Sequence, residues 1–204
     1  MSDLKISQAT FAAIDFESAG AAPGETDVPI QIGIGQMGPG LEIEEESFFR
    51  SYIAPGRPVS WAASKVHGIT TSDLEGAPPL LSLWPEFKSR IGGKIVVAHS
   101  AATEKRFLRA FPMHGFSPWV DTLRVARAAY PKAYDHSLGA MISDLGLSEE
   151  MKSLCPELKW HDALYDAVAS LVLLRHIVRE TESGNEPVSL LMRPDLESYY
   201  RERN

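Results

Sequence analysis

Two carboxylates stand where a buried strand would not ordinarily place them. Asp15 and Glu17 close an apolar run that begins at Phe11. Alternate residues of an extended chain share a face, so Asp15 and Glu17 point to one side and Phe16 to the other. Burying such a pair is costly unless something cationic meets it. No basic residue stands nearby in sequence, so a hard divalent metal is the natural partner. The alternative is a strand that runs out into a polar loop with both acids solvated. A second fragment, His161-Asp162-Ala163-Leu164-Tyr165-Asp166, opens a long helical pattern. Asp162 is a good N-cap, which leaves His161 just outside the helix, free to swing over its first turn. Asp166 sits one turn in, beside Ala163, Ala167 and Ala169, residues small enough to let another element approach closely. The plainer readings are an exposed loop histidine and an acid placed near a helix N-terminus for its dipole.

The elements that must carry these residues follow from patterning. The first strand ends at the acidic pair, and a Gly-, Ala- and Pro-rich loop follows it over 18–27. Alternation predicts strands over 29–37 and 41–53, with a Gly-Pro-Gly turn between them. Short connections make these three strands antiparallel neighbours. Glu42, Glu44 and Glu46 fall on one side of the third strand and read best as a solvated sheet face. A short helix over 60–66 ends at His67-Gly68, with Gly68 suited to a C-cap. Pro78-Pro79 opens a helix to about residue 90, and 94–98 is a short apolar strand. Helices are expected over 101–111, 121–130, 137–146 and 163–181, with a brief fifth strand at 119–120. Residues 1–182 read as one domain, and 183–204 as a linker with a short tail. The segment 188–192 in that tail either docks a partner or, the simpler expectation, packs back onto its own domain. The fold class is therefore α/β, a mixed five-stranded sheet flanked by helices. Ligands of such sheets gather beyond the strand ends, which points to Asp15, Glu17 and the region of His99.

Composition narrows the function. The chain has 204 residues, 44% of them hydrophobic, enough for a core. A net charge of -7 argues against broad attraction to nucleic acid or anionic membranes, so any grip on phosphate must be local or supplied by metal. The single cysteine, Cys155, excludes an internal disulfide and fits a reducing compartment. The N-terminal residues lack a signal-peptide pattern and no apolar run is long enough to span a bilayer, so a cytoplasmic protein is expected.

Asp15-x-Glu17, an acid after the fourth strand at Glu104, and His161-x4-Asp166 together resemble the DEDDh branch of the 3′–5′ exonucleases. This is the DnaQ-like family that holds the epsilon-type proofreading exonucleases, with a ribonuclease H-like fold. The resemblance extends from about residue 9 to 178. It includes His67-Gly68-Ile69-Thr70, Asp121-Thr122-Leu123 with Ala126-Arg127 and Tyr130-Pro131, and Ser137-Leu138 to Leu145-Gly146. The tyrosine branch does not fit: its tyrosine would fall at position 162, which is Asp162, and Tyr165 is out of position.

The resemblance implies two divalent cations, Mg2+ or Mn2+, held by carboxylates. Asp15 would bridge them, Glu17 and Asp166 would hold the ion carrying the attacking water, and Glu104 would help position the other. His161 would be the general base, since imidazole titrates near neutral pH. The expected activity is release of nucleoside 5′-monophosphates from single-stranded DNA or RNA 3′ ends. A polymerase or another replication or repair protein is the expected partner, and no membrane is. The family usually reads His-Asn-x-x-Phe-Asp where this chain has His99-Ser100-Ala101-Ala102-Thr103-Glu104. Glutamate keeps the charge but has about 1.5 Å more reach, so Glu104 is either a ligand in a longer form or a surface residue beside a weak second site. Ser18-Ala19 replaces the usual pair of threonines, which alters contacts near the terminal nucleotide. His99 reads as structural. Lys105, Arg106, Arg124 and Arg127 are the basic residues available to a phosphate backbone, and each also suits a solvated helix position. The competing functions are a hydrolase of short oligonucleotides and a catalytically weak end-binding or polymerase-accessory module.

Overall fold

The computed structural model describes residues 4–21 and 24–194. Its five strands are β1 (Phe11–Ser18), β2 (Pro29–Gly38), β3 (Glu42–Tyr52), β4 (Ile95–Ala98) and β5 (Trp119–Asp121). They form one sheet in the order β3-β2-β1-β4-β5. The first three are antiparallel neighbours, and β4 and β5 add in parallel on the other side of β1. This is the mixed five-stranded sheet expected from the patterning. β1 pairs with β4 from Phe11 to Ala13, so its last residues, Asp15 and Glu17 among them, outrun the parallel partner. A crevice at that end of the sheet is the geometric result. On β3, Glu42, Glu45 and Glu46 are exposed, as suits an edge strand that must avoid pairing with another chain.

Alternation along β1 divides the core in two. Phe11 and Ala13 face the long helix α7 (Ala163–Glu180), whose Val168, Leu171, Val172 and Leu174 are fully buried against the sheet. Ile14 and Phe16 face the other layer, α2 (Trp84–Ile91) and α3 (Ala102–Leu108). There Phe16 meets Phe87 and Phe107 edge to face, with centroids 6.2 and 5.5 Å apart. The remaining helices are α1 (Trp61–His67), α4 (Thr122–Ala129), α5 (Leu138–Asp144), α6 (Ser148–Leu154) and α8 (Ser189–Met192).

Several boundaries differ from expectation for local reasons. The segment after Pro79 is a 3-10 turn over Leu80–Leu83 followed by α2, because Pro85 lacks the N–H that would continue one helix through both. Helix α6 was not expected; it buries Met151, and its Glu150 pairs with Arg175 of α7. Residues 183–185 form a 3-10 turn where a linker was expected. Beyond it Val188 and Leu191 pack back into the α7-side core, and Val188 N–H donates to the Leu4 carbonyl. The tail from 195 onward lies outside the described residues. No described helix is long and apolar enough to cross a membrane.

Candidate active site

The site forms where β1 outruns β4. Asp15 pairs across the sheet with Gly33 and Glu17 with Gln31, so the acids and these two β2 residues are cross-strand neighbours. Gly33 decides what can sit above them. A Cβ there would overlap the backbone of Ala163 and Leu164, so the first turn of α7 rests directly on bare β2 backbone. Small residues on the helix suggested a close approach in the sequence. The partner glycine on β2 was missed, although a glycine inside an apolar strand is the ordinary sign of one.

Asp162 caps α7 by accepting from Leu164 N–H at 3.1 Å, and His161 precedes it at φ 65°, a left-handed conformation uncommon outside glycine. Asp166 sits one turn into the helix. Glu17, His161 and Asp166 each offer a ligand atom, and these atoms lie within 4.8 Å of one another. Asp15 joins them: Asp166, Glu104 and Glu17 all act electrostatically on its carboxyl. On the other flank His67 ties the end of α1 to the chain after Glu17. Its Nδ1 accepts from Ile69 N–H at 3.0 Å, which leaves Nε2–H to donate to the Ser18 carbonyl at 3.1 Å.

Glu104 arrives from the opposite layer on α3 and is only 4% exposed. The turn that delivers it is held by Asp121. Its Oδ1 accepts from Ser100 and Leu123 N–H at 3.0 and 3.1 Å, and its Oδ2 from Ala101 N–H at 3.2 Å. Ser100 itself has φ 68°. His99 is structural, as expected: its ring spans Thr122 Oγ1 at 3.0 Å and the His136 carbonyl at 2.9 Å. The sequence marked Asp121 as part of a motif, but its work in fixing the β4–α3 turn is visible only in three dimensions.

Burial and mutual repulsion push these acids upward. Asp15 is raised well above the ordinary aspartate range, first by desolvation and then by Asp166. Glu17 rises to about 8, by desolvation and then Asp166. Asp166 rises to about 7 by desolvation, partly offset by a hydrogen bond from the His161 backbone. Glu104 rises to about 7, again chiefly by desolvation. Oε2 of Glu104 and Oδ1 of Asp166 are buried with no hydrogen-bond partner. Oxygens so placed are costly unless a proton or cation meets them. Four carboxylates with one imidazole nearby are the donor set that magnesium or manganese favours, so these residues fit a hard divalent cation.

A cleft of about 310 Å³ opens beside His161, lined among others by Arg50, Tyr52, His67 and Lys159. Of these, only His67 stood out in the sequence, because Arg50 and Tyr52 lie on β3, far from the acids in chain order. The basic residues noted there, Lys105, Arg106, Arg124 and Arg127, are all exposed and do not line the cleft. Lys105 Nζ instead sits 4.9 Å from the centre of a Trp119 ring, and Arg124 and Arg127 border a hollow beside Pro194.

Comparison with known proteins gives the family and the fold. The family model described as exonuclease, of the RNase T type, matches residues 12–174. A PolC-type DNA polymerase III of Streptococcus agalactiae is 30% identical over 194 residues, 93% of this chain. The PolC-type enzyme of Streptococcus thermophilus is 31% identical over 183 residues, 87% of it. The chain spans 12% of the length of these polymerases. Among solved structures, exonuclease X in complex with 5′ overhanging duplex DNA superposes with a TM-score of 0.72 at 23% identity, over 89% of this chain and 99% of that one. The nuclease domain of 3′hExo, a DEDDh family member bound to rAMP, gives 0.66 at 16% identity over 85% and 93%. At those identities the likeness is one of fold.

Proposed function

The chain belongs to the exonuclease family, in its DnaQ-like form, and from that premise we propose that it hydrolyses phosphodiester bonds stepwise from single-stranded 3′ ends, releasing nucleoside 5′-monophosphates. The observation that carries this reading is the meeting of Asp15, Glu17, Glu104, His161 and Asp166, drawn from distant parts of the chain, at one end of the sheet. An apolar core has no use for such a cluster, and its repulsion is relieved by divalent cations.

Asp15, Glu17, Asp166 and Glu104 would hold two Mg2+ or Mn2+ ions. When bound, these supply charge neutralisation at the phosphate and a more acidic water. The protein's own groups do the rest. His161 stands exposed beside Glu17 and Asp166, where its imidazole can take the proton of the attacking water. The adjoining cleft, with His67 and Lys159 on its walls, can receive the nucleotide at the 3′ end. The net charge of -7 suits short single strands or a partner that delivers the end. The similarity to PolC-type DNA polymerase III supports a polymerase as that partner.

The test is digestion of 5′-labelled single-stranded DNA, RNA and short oligonucleotides with Mg2+ or Mn2+. Stepwise shortening with mononucleotide product is expected. Protein that binds the ends of these substrates but leaves them intact with either metal overturns the reading. Cleavage confined to the shortest oligonucleotides makes it a hydrolase of fragments.

A further inference from the structure

The Asp162 carboxylate is held by more partners than a helix cap requires. Oδ1 alone performs the cap, accepting from Leu164 N–H at 3.1 Å. Oδ2 accepts from Arg50 Nη1 at 2.7 Å and from Gln31 Nε2 at 3.3 Å. Gln31 is 1% exposed and turns its other amide atom to the same helix end, with Oε1 accepting from Ala163 N–H at 2.9 Å. The first turn of α7 is thus fastened to β2 through Gln31 and to β3 through Arg50. His161 is the next residue back. Its φ of 65° is one that residues with side chains rarely adopt, and no hydrogen bond fixes its imidazole among the described residues. Its aim therefore comes from its backbone, which is held by its own hydrogen bond to the Asp166 carboxyl and by the peptide link to the fastened Asp162.

We propose that Asp162, fixed by Arg50 and Gln31, is the positioning residue for His161, and that Arg50 serves the reaction by holding this latch. The inference rests on the exonuclease reading for its catalytic consequence, but its geometric content does not. The Arg50 side chain is 44% exposed and that of Asp162 15%. With its Arg50 end this open to solvent, the pair adds little to stability, so loss of Arg50 is read in rate and not in melting temperature. A single guanidinium nitrogen makes the contact, so a lysine ammonium can replace it.

The experiment compares Arg50→Met and Arg50→Lys with wild type in the full chain. In Arg50→Met, kcat for mononucleotide release is expected to fall about tenfold to a hundredfold, the usual effect of a misplaced group. KM should stay within about twofold, since the interaction is made with the protein and not the substrate. Melting temperature should stay within about 2 °C. Mn2+ binding by calorimetry should be unchanged, because no carboxylate in the acidic cluster is touched. Arg50→Lys should recover kcat to within about threefold of wild type. A readout free of catalysis is 15N relaxation at the His161 amide, ordered in wild type and mobile in Arg50→Met.

Unchanged kcat with an ordered His161 in Arg50→Met overturns the proposal. A raised KM at unchanged kcat also overturns it, by making Arg50 a substrate contact. So does loss of Mn2+ binding in step with kcat. If wild type releases no nucleotide, the exonuclease reading fails by itself, and the relaxation comparison still decides whether Arg50 and Asp162 order His161.

Discussion

The two helices that bring acids to the end of β1 are held in different ways. α7 has eighteen residues, lies along the sheet on bare Gly33 backbone, and is capped by Asp162. Asp166 therefore has its place set by backbone packing, and its short side chain has little to search. α3 has seven residues and no side-chain cap, and follows a turn with Ser100 in the left-handed region. Its acid is a glutamate, one methylene longer than the aspartate of α7. Rigid backbone with a short acid on one side faces a lighter support with a longer acid on the other. The difference teaches that register within a sequence motif does not by itself give equal restraint: a longer side chain has more rotamer freedom to lose.

Substitutions that remove the rigid side should be the most damaging. Asp166→Ala and Asp15→Ala are expected to lower kcat for mononucleotide release by about a thousandfold or more. If either keeps a tenth of the wild-type rate, the acids do not act together. Gly33→Val tests the support itself. Its side chain cannot coexist with the backbone at Ala163 and Leu164, so thermal unfolding should show a loss of about 3 kcal/mol or more, roughly 10 °C in Tm. Gly35→Ala, where a Cβ meets only side chains, Val168 at 3.3 Å and the Phe48 ring at 3.5 Å, should cost far less. Equal effects would mean that α7 is not pinned at Gly33.

The α3 side should bend more easily. Glu104→Ala is expected to lower kcat about a hundredfold, while Glu104→Asp keeps activity within about tenfold of wild type, because the short helix can shift to meet the shorter side chain. Wild-type rates in Glu104→Ala would remove Glu104 from the site altogether.

Both sides contribute to a pH effect on the metal-free protein. Glu17 at about 8, with Asp166 and Glu104 at about 7, lie above their ordinary values of 4.5, 3.8 and 4.5. The folded protein then binds more protons than the unfolded chain between about pH 4 and 8, so stability falls as pH rises through that window. Chelator-treated protein should lose on the order of a few kcal/mol, about 5–10 °C in Tm, from pH 5 to pH 8. Mn2+ should shrink that loss, and a flat profile without metal would contradict the mutual burial of the acids. The smallest effect belongs to the exposed basic residues. Lys105→Ala should change KM by no more than about threefold, since Lys105 rests on Trp119 and lies outside the cleft.

Much of this was legible in the chain. Alternation placed Asp15 and Glu17 on one face of β1, and the structure puts Phe16 in the opposite core. Asp162 caps α7 where the pattern placed a cap, and Gly68 closes α1 at φ 80°. These features depend on neighbours in sequence, where period and capping chemistry act. The 3-10 turn before α2 and the whole of α6 were less legible, because short helices draw their stability from packing more than from their own residues.

What the amino-acid sequence alone determined was the order of elements and the residue types that could do chemistry: two acids on a strand end, a capped helix bearing an aspartate, and a histidine ahead of it. What only the tertiary structure decided was how they are held together. Arg50 and Gln31 are unremarkable in their own segments, and Gly33 marks a close approach without saying to what. They matter because antiparallel pairing lays β2 beside β1 and β3 beside β2, and because a missing Cβ lets α7 settle onto the sheet. Such contacts join residues more than a hundred positions apart, beyond the reach of any local pattern.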